Sequence, residues 1–321
     1  MTRAGTVPPG LRLNKLGASG PVLLVYAVVI VIGVAASIIN SQFLKSGNLL
    51  NILRQSIPLG LVAIGQTFVV LTAGIDFSVG PLAGLTAVTA ATIFAGEVAS
   101  LPVGMAIAIG VGVASGLITG FVVARLNANP FIVTFGIAGL LSGVTLMISS
   151  GPTTPAPSEY VAVYDASIGG VPLVVVLMGL VWLLAWAVLA RFPFGRHLYG
   201  VGSAPESARL AGIGTPWIIV SVYVISGVLA ALAGLFMLMR SGVAAPTFGD
   251  GFDFLSVTAI TVGGISLYGG RGSLLGTLGG VLLLSMVSNV FNVTQVDIFY
   301  QRLVLGIIVL AAVALYKPRV H

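Results

Sequence analysis

The feature that most constrains this chain is a succession of long apolar stretches, each close to the length a helix needs to cross a bilayer. A helical span takes about 20 mostly apolar residues. Such stretches lie at 21–40, 57–75, 79–96, 102–124, 131–149, 171–190, 216–239, 254–270, 274–292 and 301–316. Ten of them in 321 residues leave little chain for anything else. Only 7% of the residues are charged and 57% are hydrophobic, against roughly 25% charged in a soluble domain. Neither a soluble fold nor a disordered chain fits that composition. The expectation is an all-α polytopic membrane protein with about ten transmembrane helices. Arg3, Arg12 and Lys15 ahead of the first stretch mimic a secretory signal. The stretch is too long for a signal-peptide core and more spans follow, so it reads as an uncleaved first helix. Residues 1–20 and 317–321 are then short tails around a membrane domain at 21–316.

Orientation follows from the basic residues. With a cytoplasmic N-terminus, the inner segments hold Arg3, Arg12, Lys15, Arg125, Arg191, Arg196, Arg209, Arg271, Lys317 and Arg319. The outer segments hold Lys45, Arg54, Arg240 and Arg302. This asymmetry satisfies the positive-inside rule and the flipped arrangement violates it. Both termini and the loop 191–215 are therefore expected inside, and 151–170 outside. The net charge of +6 arises from scattered side chains that form no continuous basic stripe. A nucleic-acid partner is not indicated, and the anionic face of a bilayer is the better match.

Most catalytic chemistry is excluded. There is no cysteine, and His197 and His321 are the only histidines, so thiolate or imidazole metal sites and Ser/His/Asp catalysis lack their parts. None of the three lysines, Lys15, Lys45 and Lys317, follows a glycine, which rules out a phosphate-binding loop ending in Gly-Lys-Ser/Thr. The chain reads as a non-enzyme with no cofactor or metal of its own. No span carries a charge near its middle. The intramembrane polar residues are neutral, with Gln66 and Thr67 in the second span and Thr258 and Thr261 in the eighth as the foremost. Hydroxyls in helices commonly return to the preceding turn; those facing a pathway suit a neutral, hydroxyl-rich solute better than an ion. Gly80/Gly84, Gly116/Gly120 and Gly276/Gly280 are spaced four apart, as in close helix contacts.

The longest inner loop, 191–215, contains Ser203-x-x-Glu206, a capping-box pattern, with Pro205 in the first turn, Arg209 in the last and Gly212 at the stop. This predicts a two-turn helix over 203–212 lying outside the membrane. Ala204, Ala208 and Ala211 share a small-residue face flanked by Leu210. So short a helix needs a docking surface, either its own chain's helix ends or a groove in a partner protein.

The stretch Gly195-Arg196-His197-Leu198-Tyr199-Gly200-Val201-Gly202, followed by Glu206-x-x-Arg209-Leu210-x-Gly212-Ile213, resembles the cytoplasmic loop of ABC importer permeases of the ribose/xylose/arabinose class, in the branched-chain-type permease family. Three further blocks agree: Leu71-Thr72-Ala73-Gly74-Ile75-Asp76-Phe77-Ser78-Val79-Gly80, Asn129-Pro130-Phe131-Ile132-Val133-Thr134-Phe135-Gly136, and Pro246-x-x-Gly249-x-Gly251 running to Gly263-Gly264-Ile265-Ser266-Leu267-x-Gly269-Gly270-x-Gly272. The resemblance implies a type II-importer-like permease in a bacterial inner membrane. It implies a second permease subunit, identical or a sister chain, two nucleotide-binding ATPase domains that bind the ATP, and a periplasmic sugar-binding protein. The solute would be a monosaccharide or a related small polar molecule. Ser203, Ala204, Glu206, Ala208, Arg209, Leu210 and Ala211 become the grip for the ATPase. Asp76 and Ser78 either cap the helix starting near Gly80 or, by resemblance, form an inner gate. The chain departs from the family pattern at Phe135, where leucine is usual, and at Phe252-Asp253-Phe254-Leu255, where many members read aromatic-Glu-Leu-Asp. The competing class is an ATP-independent carrier or channel for a small neutral solute.

Overall fold

In the computed structural model the described residues are 20–310, except 298, 302, 305, 308 and 309. The tails and most of the tenth apolar stretch, 301–316, lie outside them. Among the described residues, seven helices are long and apolar enough to cross a bilayer. These are α1 (Gly20–Ile39), α2 (Ser46–Leu71), α4 (Leu101–Arg125), α5 (Pro130–Ile148), α7 (Leu173–Arg191), α10 (Thr215–Ser241) and α12 (Leu274–Val293). Two apolar stretches expected to be full spans form shorter helices: α3 (Val79–Phe94) has 16 residues and α11 (Phe252–Val262) has 11. At 1.5 Å per residue these rise only about 24 and 16 Å, against roughly 30 Å of hydrocarbon.

The shortening has local causes. After Leu71 the chain turns through Ala73 at φ 62°, and the Asp76 side chain accepts from the Ser78 backbone N–H, so helix resumes only at Val79. Ahead of α11, Pro246, Gly249 and Gly251 (φ 84°) hold the segment 242–251 out of a helix. After it, glycines at 264, 269 and 270 all have positive φ, a conformation that carries little penalty only without a Cβ. The same pattern thus occurs twice: a helix of 26 or 27 residues, a non-helical stretch, then a helix too short to cross. The two interruptions meet where Gly80 lies directly against the Gly249 carbonyl. The first interruption, 72–78, is mostly buried in protein, while the second, 242–251, is buried only at Ala244 and Gly249. Part of the second one's hydrogen bonding is supplied by the neighbouring segment, with Thr153 N–H donating to Ala244 O at 2.9 Å and Ala156 N–H to Gly242 O at 2.7 Å.

Most of α2 is buried, while α1, α5 and α7 leave long runs of leucine, isoleucine and valine exposed. Among the described residues, α4 and α10 share the most extensive helix–helix contact. A Cβ at Gly112, Gly116 or Gly120 would meet α10 backbone, at 2.5 Å from Tyr223 O in the case of Gly116. The other two glycine pairs also pack closely, Gly80/Gly84 on the 246–249 backbone and Gly276/Gly280 on α11. The start of α2, eleven residues before the expected span, carries polar side chains that find partners inside the fold. Asn48 and Asn289 of α12 exchange side-chain amide bonds at 3.0 and 3.1 Å, and the Arg54 guanidinium lies 5.3 Å from the Tyr164 ring centroid.

The segment between α5 and α7 holds α6 (Ser158–Asp165) and a two-stranded hairpin, β1 (Ser167–Ile168) with β2 (Val171–Pro172), which the all-α expectation omitted. Gly169 and Gly170 both have positive φ, as the tight turn of a two-residue hairpin requires. Tyr160 of α6 donates to Leu235 O at 2.7 Å, which fastens this segment to α10.

Candidate functional site

Three regions carry the polar and docking chemistry. The first surrounds the turn between α2 and α3. Asp76 is 3% exposed. Its Oδ1 accepts from the Ser78 backbone N–H at 3.0 Å and the Ser78 hydroxyl at 2.5 Å, and its Oδ2 accepts from Ser226 of α10 at 2.8 Å. Gln66, one turn before the end of α2, faces the Asp76 backbone, and with its amide nitrogen turned toward Asp76 O it donates there at 3.2 Å and accepts from Asp76 N–H at 3.3 Å. Tyr223 donates to Ile75 O at 3.2 Å. Gln66, Asp76 and Ser78, assigned separately to pathway and gate, are thus joined in one buried network that ties α2, the turn and the middle of α10. Ser78 precedes α3 without a side-chain cap bond, and Asp76 accepts from the Ser78 N–H ahead of the helix and not from an N–H within it.

Thr67 is also fully buried, with its hydroxyl 2.8 Å from that of Thr277 in α12. Thr258 and Thr261 of α11 are buried and donate to the carbonyls four residues back, Phe254 O and Val257 O. Ahead of them, four rings form a chain. Phe77 lies 5.2 Å from Phe254 and 5.3 Å from Phe131, which stacks at 6.0 Å on Phe135. Phe131, Phe135 and Phe254 are more than half exposed while Phe77 is buried beneath them. Two of the positions that depart from the family pattern, 135 and 254, therefore belong to one surface.

The third region is 192–214. It folds as two helices rather than one: α8 (Pro193–Ser203) and α9 (Pro205–Leu210). The expected capping box over 203–206 is not formed. Ser203 ends α8 and points its hydroxyl at Gly270 O, 3.5 Å away, while Ala204 precedes α9 without a side-chain cap. Glu206 instead binds Arg209 through two hydrogen bonds, 3.1 and 2.6 Å. Beside that guanidinium the Glu206 carboxyl is held below its ordinary range, and Arg209 is raised in turn. The stop at Gly212 is as expected: it takes φ 80°, and the Ile213 N–H reaches back to Ala208 O at 3.0 Å. The alanine face is split. Ala208 is buried against its own chain, whereas Ala204, Ala211 and Leu210 (76% exposed) are open.

The amphipathic helix α8 was not anticipated, because its glycines and its proline obscure the pattern of Leu198 and Val201, which it buries. It docks where Gly202 touches the Leu71 carbonyl so closely that a Cβ has no room. At the same place Gly270 N–H donates to Leu71 O at 2.9 Å and Tyr199 donates to Gly272 O at 2.9 Å. Through these contacts α8 rests on the end of α2 and on the glycine loop after α11. Among the described residues no group of histidines, cysteines or acids could hold a metal ion.

A family model described as the permease component of branched-chain amino acid transport systems matches residues 48–313. The ribose import permease of Escherichia coli (strain K12) is 38% identical over 292 residues, covering 89% of this chain and 90% of that protein. The ribose import permease of Bacillus subtilis (strain 168) is 36% identical over 305 residues, 94% of this chain and 92% of the relative. The fructose import permease of Rhizobium meliloti is 35% identical over 314 residues, 94% and 86%. No solved structure matches the chain.

Proposed function

Because this chain belongs to the branched-chain-type transport permease family, we propose that it forms the membrane pathway of an ATP-driven importer for a monosaccharide or a closely related polar solute. The observation that carries the reading is similarity to sugar import permeases along nearly the whole length of both chains. The permease is not itself an ATPase, in keeping with a sequence that has no lysine following a glycine. In this reading the chain crosses a bacterial inner membrane ten times with both termini inside. α3 and α11 complete their crossings through the non-helical stretches beside them. Two permease subunits, alike or sister chains, enclose the path. A periplasmic sugar-binding protein delivers the solute, and two nucleotide-binding domains bind ATP.

The region 191–215 is the seat for a nucleotide-binding domain. The open side of α9, with Ser203, Ala204, Leu210 and Ala211, offers small and apolar side chains to a groove. Glu206 and Arg209 stand at its rim, and Ala208 anchors the helix to its own permease. An exposed leucine on a six-residue helix is costly to leave in water and favourable to cover. Gln66, Thr67, Thr258 and Thr261 stay closest to the path as supports for its wall, with Asp76 and Ser78 bracing the interruption that would open and close.

Uptake into membrane vesicles carrying the whole assembly tests the function. With D-ribose, D-fructose, D-allose and D-galactose as the panel, accumulation of at least one sugar should require ATP and the binding protein. Accumulation driven by an ion gradient, with the ATPase subunits removed, would place the chain among secondary carriers instead.

A further inference from the structure

Four elements, α2, α10, α11 and α12, leave a cleft between them at the end of the bundle where α10 finishes. Its volume is about 210 Å³, and apolar cavities of roughly 150 Å³ already admit a benzene ring. Gln55 of α2, Arg240 in the last turn of α10, and Ser285, Ser288 and Asn292 of α12 line it, beside the Phe252 ring and leucine side chains. The three α12 residues fall at i, i+3 and i+7, on a single helix face. A polar stripe on a membrane helix is expensive toward lipid and is normally turned to a partner or a path. Here it has no partner: none of the five polar side chains hydrogen-bonds to another described residue. Ser285 is only 7% exposed, and its hydroxyl makes no bond to the preceding turn, unlike those of Thr258 and Thr261.

We propose that this cleft is an uptake-side binding site for a neutral, polyhydroxylated ring of monosaccharide size, distinct from the Gln66, Thr67, Thr258 and Thr261 positions. The inference rests on the import function proposed above. The chemistry favours a polyol over an anion. Four of the five polar side chains are amides and hydroxyls that each donate and accept, as sugar hydroxyls do, whereas a phosphodiester only accepts and leaves the Gln55 and Asn292 oxygens unused; the exposed Arg240 at the rim, a donor only, can serve a sugar hydroxyl. Phe252 and the leucines supply the apolar wall that a ring's C–H face needs, in the usual mix of apolar lining and few polar groups. Ser285 and Asn292 are separated by seven residues of α12, about 10 Å, so the cleft runs inward along the helix from the rim where Arg240 stands. A weak site of this kind holds a solute long enough to be handed on without trapping it.

The cysteine-free chain allows a direct test. Ser288→Cys is introduced into the full permease, in vesicles holding the complete importer, and its labelling rate by a maleimide is followed with each sugar of the panel. Wild-type vesicles establish in parallel which sugar is carried. That sugar should slow the labelling, and Ser285→Ala should raise its half-saturating concentration for uptake roughly three- to tenfold, the effect of one lost hydrogen bond. If a carried sugar leaves the labelling rate unchanged, the cleft is not its site and the import function stands without it. If labelling instead slows with phosphatidylglycerol in the vesicles and not with sugar, the cleft is a lipid-headgroup seat and the proposal falls. If no sugar is carried at all, it is the import function that fails, and this inference with it.

Discussion

Replacing Asp76 by alanine removes the acceptor for the Ser78 and Ser226 hydroxyls and the Ser78 N–H. Each donor left unpaired in a buried setting costs about 1–3 kcal/mol, so Asp76→Ala should markedly lower the thermal unfolding midpoint of the purified permease. Asp76→Asn keeps an acceptor oxygen toward Ser78 and should lose much less. A gate role independent of stability would show as a different outcome: Asp76→Ala with a wild-type midpoint and no uptake. At Phe254 the expectation reverses. Its ring is 54% exposed, so Phe254→Leu should leave the midpoint in place and shift the ratio of uptake rates between two sugars of the panel by about tenfold. The polar residues were visible in the sequence, but their partners were not. Gln66 and Asp76 are ten positions apart and meet only because the chain reverses at Ala73 and Gly74, a turn that hydropathy does not register. Ser226 lies 150 positions further on.

At the level of elements, the glycine spacing and the loop helix make opposite demands on a test. Gly116→Leu drives a side chain into the backbone of α10 and should prevent accumulation of folded permease, while Gly110→Leu, with nothing near its Cβ direction, should be neutral; yield after detergent extraction checks both. For α9, Leu210→Asp alters an exposed side chain and should cut co-purification of the ATPase and sugar-stimulated ATP hydrolysis, with the permease itself unchanged. Ala208→Trp, by contrast, strikes a position buried in the permease and should lower its midpoint even in the absence of the ATPase. Helix ends marked by proline or glycine, such as those near Pro130, Thr215 and Leu274, lie within two residues of the boundaries read from hydropathy. The start of α2 does not, because Asn48, Asn51 and Arg54 interrupt the apolar run while the helix continues through them. The division of 192–214 into α8 and α9 was hidden for another reason: Ser203 and Glu206 have the spacing of a capping box, but Ser203 is already committed to the end of the preceding helix.

Across the whole molecule, the proposed orientation predicts which reagents reach which ends. A single cysteine at Ser203 should react with an impermeant maleimide only after the cells are opened, and one at position 47, at the start of α2, should react in intact cells. The reverse pattern would invert the topology. The apolar stretches announced a helical membrane protein, but hydropathy measures how much of a segment is apolar and not whether it stays helical, so 79–96 and 254–270 read as ordinary spans. The 11 residues of α11 have a consequence for how the protein is made. A helix of about 16 Å is too short to be accepted into the bilayer as a span of its own. Its own length gives it no independent claim to the membrane, and its partner is α12, whose Gly276 and Gly280 fit against it. The expected consequence for biogenesis is that α11 enters the bilayer paired with the helix synthesised after it, and not as one helix after another.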